Sequence, residues 1–142
     1  MASDVAAYGF ENLVSLLTPL EEIELGLIDE ERWCVAAGIR YISLPIPDRG
    51  LPDRRKLLAL GQLLLDSAGR VGIHCRAGIG RSALVAASVL VLEGTPPRQA
   101  LDRVERARAC PIPDTDEQRD FVLGLNRPEQ DTRWRDRSLD SW

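Results

Sequence analysis

Val71-Gly72-Ile73-His74-Cys75-Arg76-Ala77-Gly78-Ile79-Gly80-Arg81-Ser82-Ala83-Leu84-Val85 runs from a short apolar stretch, through a glycine-punctuated turn, into a segment of helical character that continues to Leu92. The apolar stretch reads as a strand, so the turn lies between a strand end and a helix N-terminus. Backbone amides and the positive end of the helix dipole then converge where an anion would rest. Cys75 stands in that field, and a thiol becomes an effective nucleophile where positive charge or oriented amides stabilise the thiolate. Arg81 lies six positions on, so the chain must curl back if its planar fork is to hold two oxygens of a bound anion. Gly78 and Gly80 permit that curl and a close approach of backbone N–H groups. Arg76, Ala77, Gly78, Ile79, Gly80 and Arg81 are the candidate cradle. Ser82 would set a hydroxyl beside the sulfur, able to donate a hydrogen bond to it. Taken singly, each of these residues has an ordinary structural reading; their order and spacing together point to chemistry. His74, the single histidine of the chain, is expected to order the loop rather than to exchange protons.

His-Cys, five further residues, Arg and then Ser resembles the signature of the cysteine-dependent protein phosphatases, and the match is complete. The similarity is to the small dual-specificity-type and bacterial tyrosine phosphatase branch. It extends from Val14-Ser15-Leu16-Leu17-Thr18 through Gly38-Ile39 and Pro45-Ile46-Pro47-Asp48 to Gln118, most of residues 12 to 125. The resemblance implies a two-step reaction in which a cysteinyl-phosphate forms on Cys75 and is then hydrolysed, with no metal and no cofactor. It also implies a general acid on a loop upstream of the nucleophile. Asp48, 75 − 48 = 27 positions earlier, is the candidate, within Leu44-Pro45-Ile46-Pro47-Asp48-Arg49-Gly50-Leu51-Pro52-Asp53. Flanking prolines and a glycine describe a loop that moves as a stiff unit. Asp53 is the second choice, because its place before Arg54-Arg55-Lys56-Leu57-Leu58 suits a helix start. In the second step the ionised carboxylate would accept a proton from the attacking water. Gln118 resembles the family's water-positioning glutamine, with a plain surface residue as the equal alternative.

At 142 residues and 44% hydrophobic content, the chain has room for one domain with one core, expected over residues 1–126, and a tail over 127–142. A net charge of −4 and a pI near 5.1 argue against nucleic acid or an acidic membrane as partner, so positive potential must be local, from Arg76 and Arg81. Three cysteines do not make an even disulfide framework, and no signal peptide or membrane-length apolar run is present. A reducing cytoplasm fits. Cys34 and Cys110 are expected as small buried apolar side chains, and either is a candidate redox partner of Cys75.

The coarse order is a strand at about 12 to 17, helical material at about 19 to 37, a strand at 40 to 46, a loop, a helix at about 53 to 68, a strand at 71 to 75, and helices thereafter. Thr18-Pro19 reads as a cap followed by Pro at the first helical position, Asp29 as an acidic start, and Gly38 as a stop. Strands separated by helical crossovers predict an α/β fold: a central, mostly parallel sheet flanked by helices, with the anion loop between strand and helix at the carboxyl ends of the strands. Members of the resembled family carry extra strands before the first alignable segment, whereas Met1 to Glu11 alone precede it here, so the sheet is expected one or two strands short. The expected activity is hydrolysis of phosphate monoesters on phosphotyrosine proteins, with phosphoserine and phosphothreonine as further substrates if the cleft is shallow. The rival readings are a phosphate-recognition module without turnover, and a thiol-based reductase or a phosphatase of small molecules.

Overall fold

A computed structural model describes residues 9–67, 69–76, 80–109, 112–113 and 115–125 of the chain. Three strands form one sheet: β1 (Phe10–Ser15), β2 (Arg40–Ser43) and β3 (Arg70–His74), in the order β2-β1-β3. Both pairings are parallel, with Leu13 opposite Tyr41 on one side and Gly72 on the other. Among the described residues six helices surround it: α1 (Pro19–Glu24), α2 (Glu30–Ala36), α3 (Arg54–Leu65), α4 (Arg81–Leu92), α5 (Pro97–Arg108) and α6 (Asp116–Leu123). This is the expected α/β architecture, and every strand-to-strand connection carries a helix, as parallel pairing demands.

The helical material expected over 19 to 37 is two helices. Gly26 takes φ +68° between them, a conformation a helix cannot continue through, and Gly38 at φ +75° closes the second. At the start of α1, Thr18 accepts from the Glu21 amide while the Glu21 carboxylate accepts from the Thr18 amide, a complete capping box. Asp29 precedes α2 without a side-chain cap bond. The second strand ends at Ser43 rather than near 46, but its direction persists, because Leu44 N–H donates to Ser15 O at 2.9 Å and Ile46 N–H to Leu16 O at 3.1 Å. Both loops that carry candidate site residues therefore leave the same carboxyl end of the parallel sheet.

α4 is the central helix. Ala83, Leu84, Val85, Ala87, Ser88, Val91 and Leu92 are all buried along it, which is the pattern of a helix covered on nearly every side. Val14, Leu16, Ile42, Leu44 and Ile46 meet it from the sheet edge, Leu57, Leu60 and Leu64 from α3, Leu101 from α5 and Val122 from α6. Gly61 allows α3 to approach, since a Cβ there would stand 2.1 Å from Leu92 Cδ1. The domain boundary near residue 126 and the tail beyond it lie outside the described residues.

Candidate active site

Cys75 is the first residue past β3, and its Sγ lies 2.9 Å from Ser82 Oγ, in the first turn of α4. The expected thiol–hydroxyl contact is therefore formed. Gly80 is the residue before α4, and its carbonyl accepts from Leu84 N–H at 2.9 Å. Ala77, Gly78 and Ile79, also expected in the cradle, lie outside the described residues.

Arg81 opens α4 with only 3% of its surface exposed. Its Nη1 donates to Glu21 Oε1 at 2.7 Å and to the Ile46 carbonyl at 2.8 Å, and its Nη2 donates to Glu21 Oε2 at 2.8 Å. Glu21 Oε1 also accepts from the amide and the hydroxyl of Thr18, each at 3.1 Å. The Arg81 hydrogen bond holds the Glu21 carboxyl down to about 2, against the opposing effect of burial and with help from the Thr18 amide. The same bond raises the guanidinium pKa. Arg76 pairs likewise with Glu24, at 2.6 Å and in the open. The two bases expected to supply local positive potential are thus each paired with a glutamate. Glu21 is out of reach of a local sequence reading, as it lies 60 positions from its partner, although Thr18-x-x-Glu21 is legible as a capping box. Glu24 leaves no such signal.

His74 Nε2 lies 2.8 Å from Glu30 Oε1, tying the end of β3 to α2, in keeping with a role in ordering the loop. Glu30 belongs to a group of carboxylates: burial pushes the Glu22 carboxyl up, and Glu30 and Glu31 add to the effect.

Asp48 sits in a tight turn closed by Gly50 N–H donating to Pro47 O at 2.7 Å, with Arg49 at φ +61°. Its side chain is 73% exposed, and Oδ1 is 3.8 Å from Arg81 Nη2. Asp53 is occupied elsewhere: its Oδ1 accepts from Lys56 N–H at 3.1 Å as the cap of α3. Gln118, in the first turn of α6, is fully buried rather than on the surface. Its Nε2 donates to Gly50 O at 3.1 Å, and its Oε1 has no hydrogen-bond partner among the described residues.

Residues 4–95 match the family described as "Polymorphic toxin system, DSP-PTPase phosphatase". The chain belongs to this DSP-PTPase family. The chain is also 33% identical over 78 residues to "Probable protein tyrosine phosphatase type IVA A" of Dictyostelium discoideum, an alignment covering 51% of this chain. That match spans about half of the relative's length, 47%. Among solved structures, kinase associated phosphatase shares the fold at a TM-score of 0.77 and 22% identity, over 96% of this chain and 77% of the other. Tk-PTP in its active form gives a TM-score of 0.70 at 28% identity, over 84% and 80%.

Within this DSP-PTPase family member, Cys34 is a free thiol buried with Leu13 and Ile39, whereas Cys75 borders the main core. Burial, reinforced by Glu30 and Glu31, pushes the Cys34 thiol up, which suits the inert apolar role expected of it. Cys110 lies outside the described residues. Among the described residues, no cluster of His, Cys, Asp and Glu has a metal-holding arrangement, and no helix is long and apolar enough to cross a membrane.

Proposed function

We propose that this DSP-PTPase hydrolyses phosphate monoesters on phosphotyrosine proteins through a cysteinyl-phosphate on Cys75. One observation carries the reading. Arg81 opens the helix that bears the hydroxyl partner of Cys75, and its Nη2 is 3.8 Å from the carboxylate of Asp48, which supports a shared site for nucleophile, phosphate fork and acid.

The steps follow from what each group can do there. Glu21 takes the Nη1–Nη2 end of the guanidinium, leaving the Nε–Nη2 edge to hold two phosphate oxygens. The thiolate attacks phosphorus as the P–O bond to the tyrosyl oxygen breaks, and Asp48 delivers its proton to that oxygen. Water then attacks the cysteinyl-phosphate while Asp48 takes the proton back. Ser82 donates to the sulfur and makes it a better leaving group, and Gln118 Oε1 is available to orient the water. His74, bonded to Glu30, holds the end of β3 that leads into Cys75. Three cysteines that make no even disulfide framework suit a cytoplasmic setting, and the acidic chain suits neither nucleic acid nor a membrane as partner. The relative named as a tyrosine phosphatase supports phosphotyrosine as the substrate class.

Steady-state turnover of an aryl phosphate by wild type, Cys75→Ser and Asp48→Asn tests the reading. Cys75→Ser should abolish turnover, and Asp48→Asn should lower it on the order of 10²-fold or more. Turnover retained by Cys75→Ser would remove the covalent intermediate. A panel of phosphotyrosine, phosphoserine and phosphothreonine peptides then reads the substrate class, and turnover of small phosphate esters alone would overturn the protein substrate.

A further inference from the structure

Asp48 is bracketed by two held carbonyls. Two residues before it, Ile46 O accepts from Arg81 Nη1 at 2.8 Å; two residues after it, Gly50 O accepts from Gln118 Nε2 at 3.1 Å. Between these anchors the turn is closed by Gly50 N–H on Pro47 O at 2.7 Å. Gly50 is pressed onto that turn, since a Cβ there would stand 2.9 Å from the Pro47 carbonyl. The first anchor comes from the phosphate fork itself. The second comes from α6, 68 positions away in sequence, on a fully buried side chain whose amide N–H has to find an acceptor inside the protein. α6 is in turn fixed by Thr115, whose hydroxyl accepts from Gln118 N–H at 3.1 Å, and by Val122 in the core. An exposed carboxylate on a turn would otherwise sample many positions, and a misplacement of about 1 Å can cost on the order of 10²-fold in rate.

We infer that Gln118 is a positioning residue for the general acid: through its bond to the Gly50 carbonyl it holds the Asp48 turn where the proton is delivered, in addition to any part it takes with water. The inference rests on the proposed phosphatase chemistry and deepens it. It places an α6 residue in the first chemical step, whereas a residue that only orients water acts in the second.

The two steps separate cleanly in kcat/KM, which reports events through cleavage of the P–O bond and is blind to later hydrolysis of the cysteinyl-phosphate. Gln118→Met keeps the length and bulk of the side chain and removes the N–H donor. With phenyl phosphate, whose leaving oxygen needs a proton, its kcat/KM should fall about tenfold. With 2,4-dinitrophenyl phosphate, whose leaving group departs as the anion, the fall should be several-fold smaller. In an Asp48→Asn background the same substitution should add little to the loss with phenyl phosphate, because there is no acid left to position. If Gln118→Met lowered kcat and left kcat/KM untouched with phenyl phosphate, the residue would act on water alone and the inference would fail. Equal losses with both substrates, or losses that multiply fully with Asp48→Asn, would mark a general structural role and overturn it as well. Gln118→Asn, which keeps the amide but shortens its reach, serves the same comparison if the Met variant does not fold. A wild type inactive on both esters would defeat the proposed function itself, an outcome distinct from any of these.

Discussion

Glu21 meets four donors with one carboxylate: the Thr18 amide and hydroxyl at its own helix start, and both terminal nitrogens of Arg81. A guanidinium only 3% exposed has to find its counter-charge in place, because an unpaired buried charge is among the costliest features a fold can hold. Removing the carboxylate should therefore hurt in two ways. Glu21→Ala is expected to cost about 3 kcal/mol or more through the orphaned Arg81, with roughly a further 1 kcal/mol from the lost cap. Urea unfolding measures it, and a loss under about 1 kcal/mol would mean that water reaches Arg81 freely. Glu21→Gln keeps one acceptor oxygen and should fall between the two. At this scale the sequence is legible only where partners are close in the chain. Cys75 and Ser82 are seven apart, with loop and helix start between them, and their 2.9 Å contact is foreseeable. His74–Glu30 and Arg81–Glu21, 44 and 60 apart, depend on how α1 and α2 pack beside the loop.

Between β2 and α3 two aspartates five residues apart hold different offices, and the local backbone decides which is which. Asp48 is in a turn with its carboxylate in the open, 3.8 Å from Arg81; Asp53 is spent on the Lys56 amide. Asp53→Ala should cost about 1 kcal/mol of stability, the usual worth of an N-cap, and leave kcat/KM for an aryl phosphate within twofold. Asp48→Ala should do the reverse, with a stability change under about 0.5 kcal/mol and a large loss of turnover. Thermal unfolding and steady-state kinetics on the same two variants check both, and an exchange of the two outcomes would transfer the acid role to Asp53. Proline and glycine punctuation made this division readable beforehand, as did the cap preceding a run of helix formers. The break at Gly26 was harder to read, since the sequence on either side of it has helical character and only the left-handed backbone at that one residue separates α1 from α2.

Over the whole molecule, the parallel order β2-β1-β3 sends the Asp48 turn and Cys75 out of the same carboxyl end of the sheet, and the ion pair between Arg81 and Glu21 ties that end to α1. The alternation of strands and helices was enough to expect Cys75 and Asp48 at this one end of the sheet. The placement of α6, which brings Gln118 under the acid loop, was not predictable, because it depends on packing against α4 and not on any pattern local to residues 116–123. The tie at this end also gives the fold a characteristic response to acid. In the folded protein the Glu21 carboxyl lies at about 2, against an ordinary 4.5. The native state therefore binds this proton less readily than the unfolded chain, so the stabilisation is fully present above the ordinary value and is lost as pH falls through 4.5 toward 2. Glu22 works in the opposite sense, because burial raises its pKa and its protonation favours the fold, so the net acid profile of the wild type mixes the two. The difference in unfolding free energy between wild type and Glu21→Gln isolates the first, since both proteins keep Glu22. That difference should hold steady from neutral pH down to about 5 and then shrink continuously toward pH 2, and a difference independent of pH across that range would show that the Glu21 carboxylate is not what Arg81 relies on.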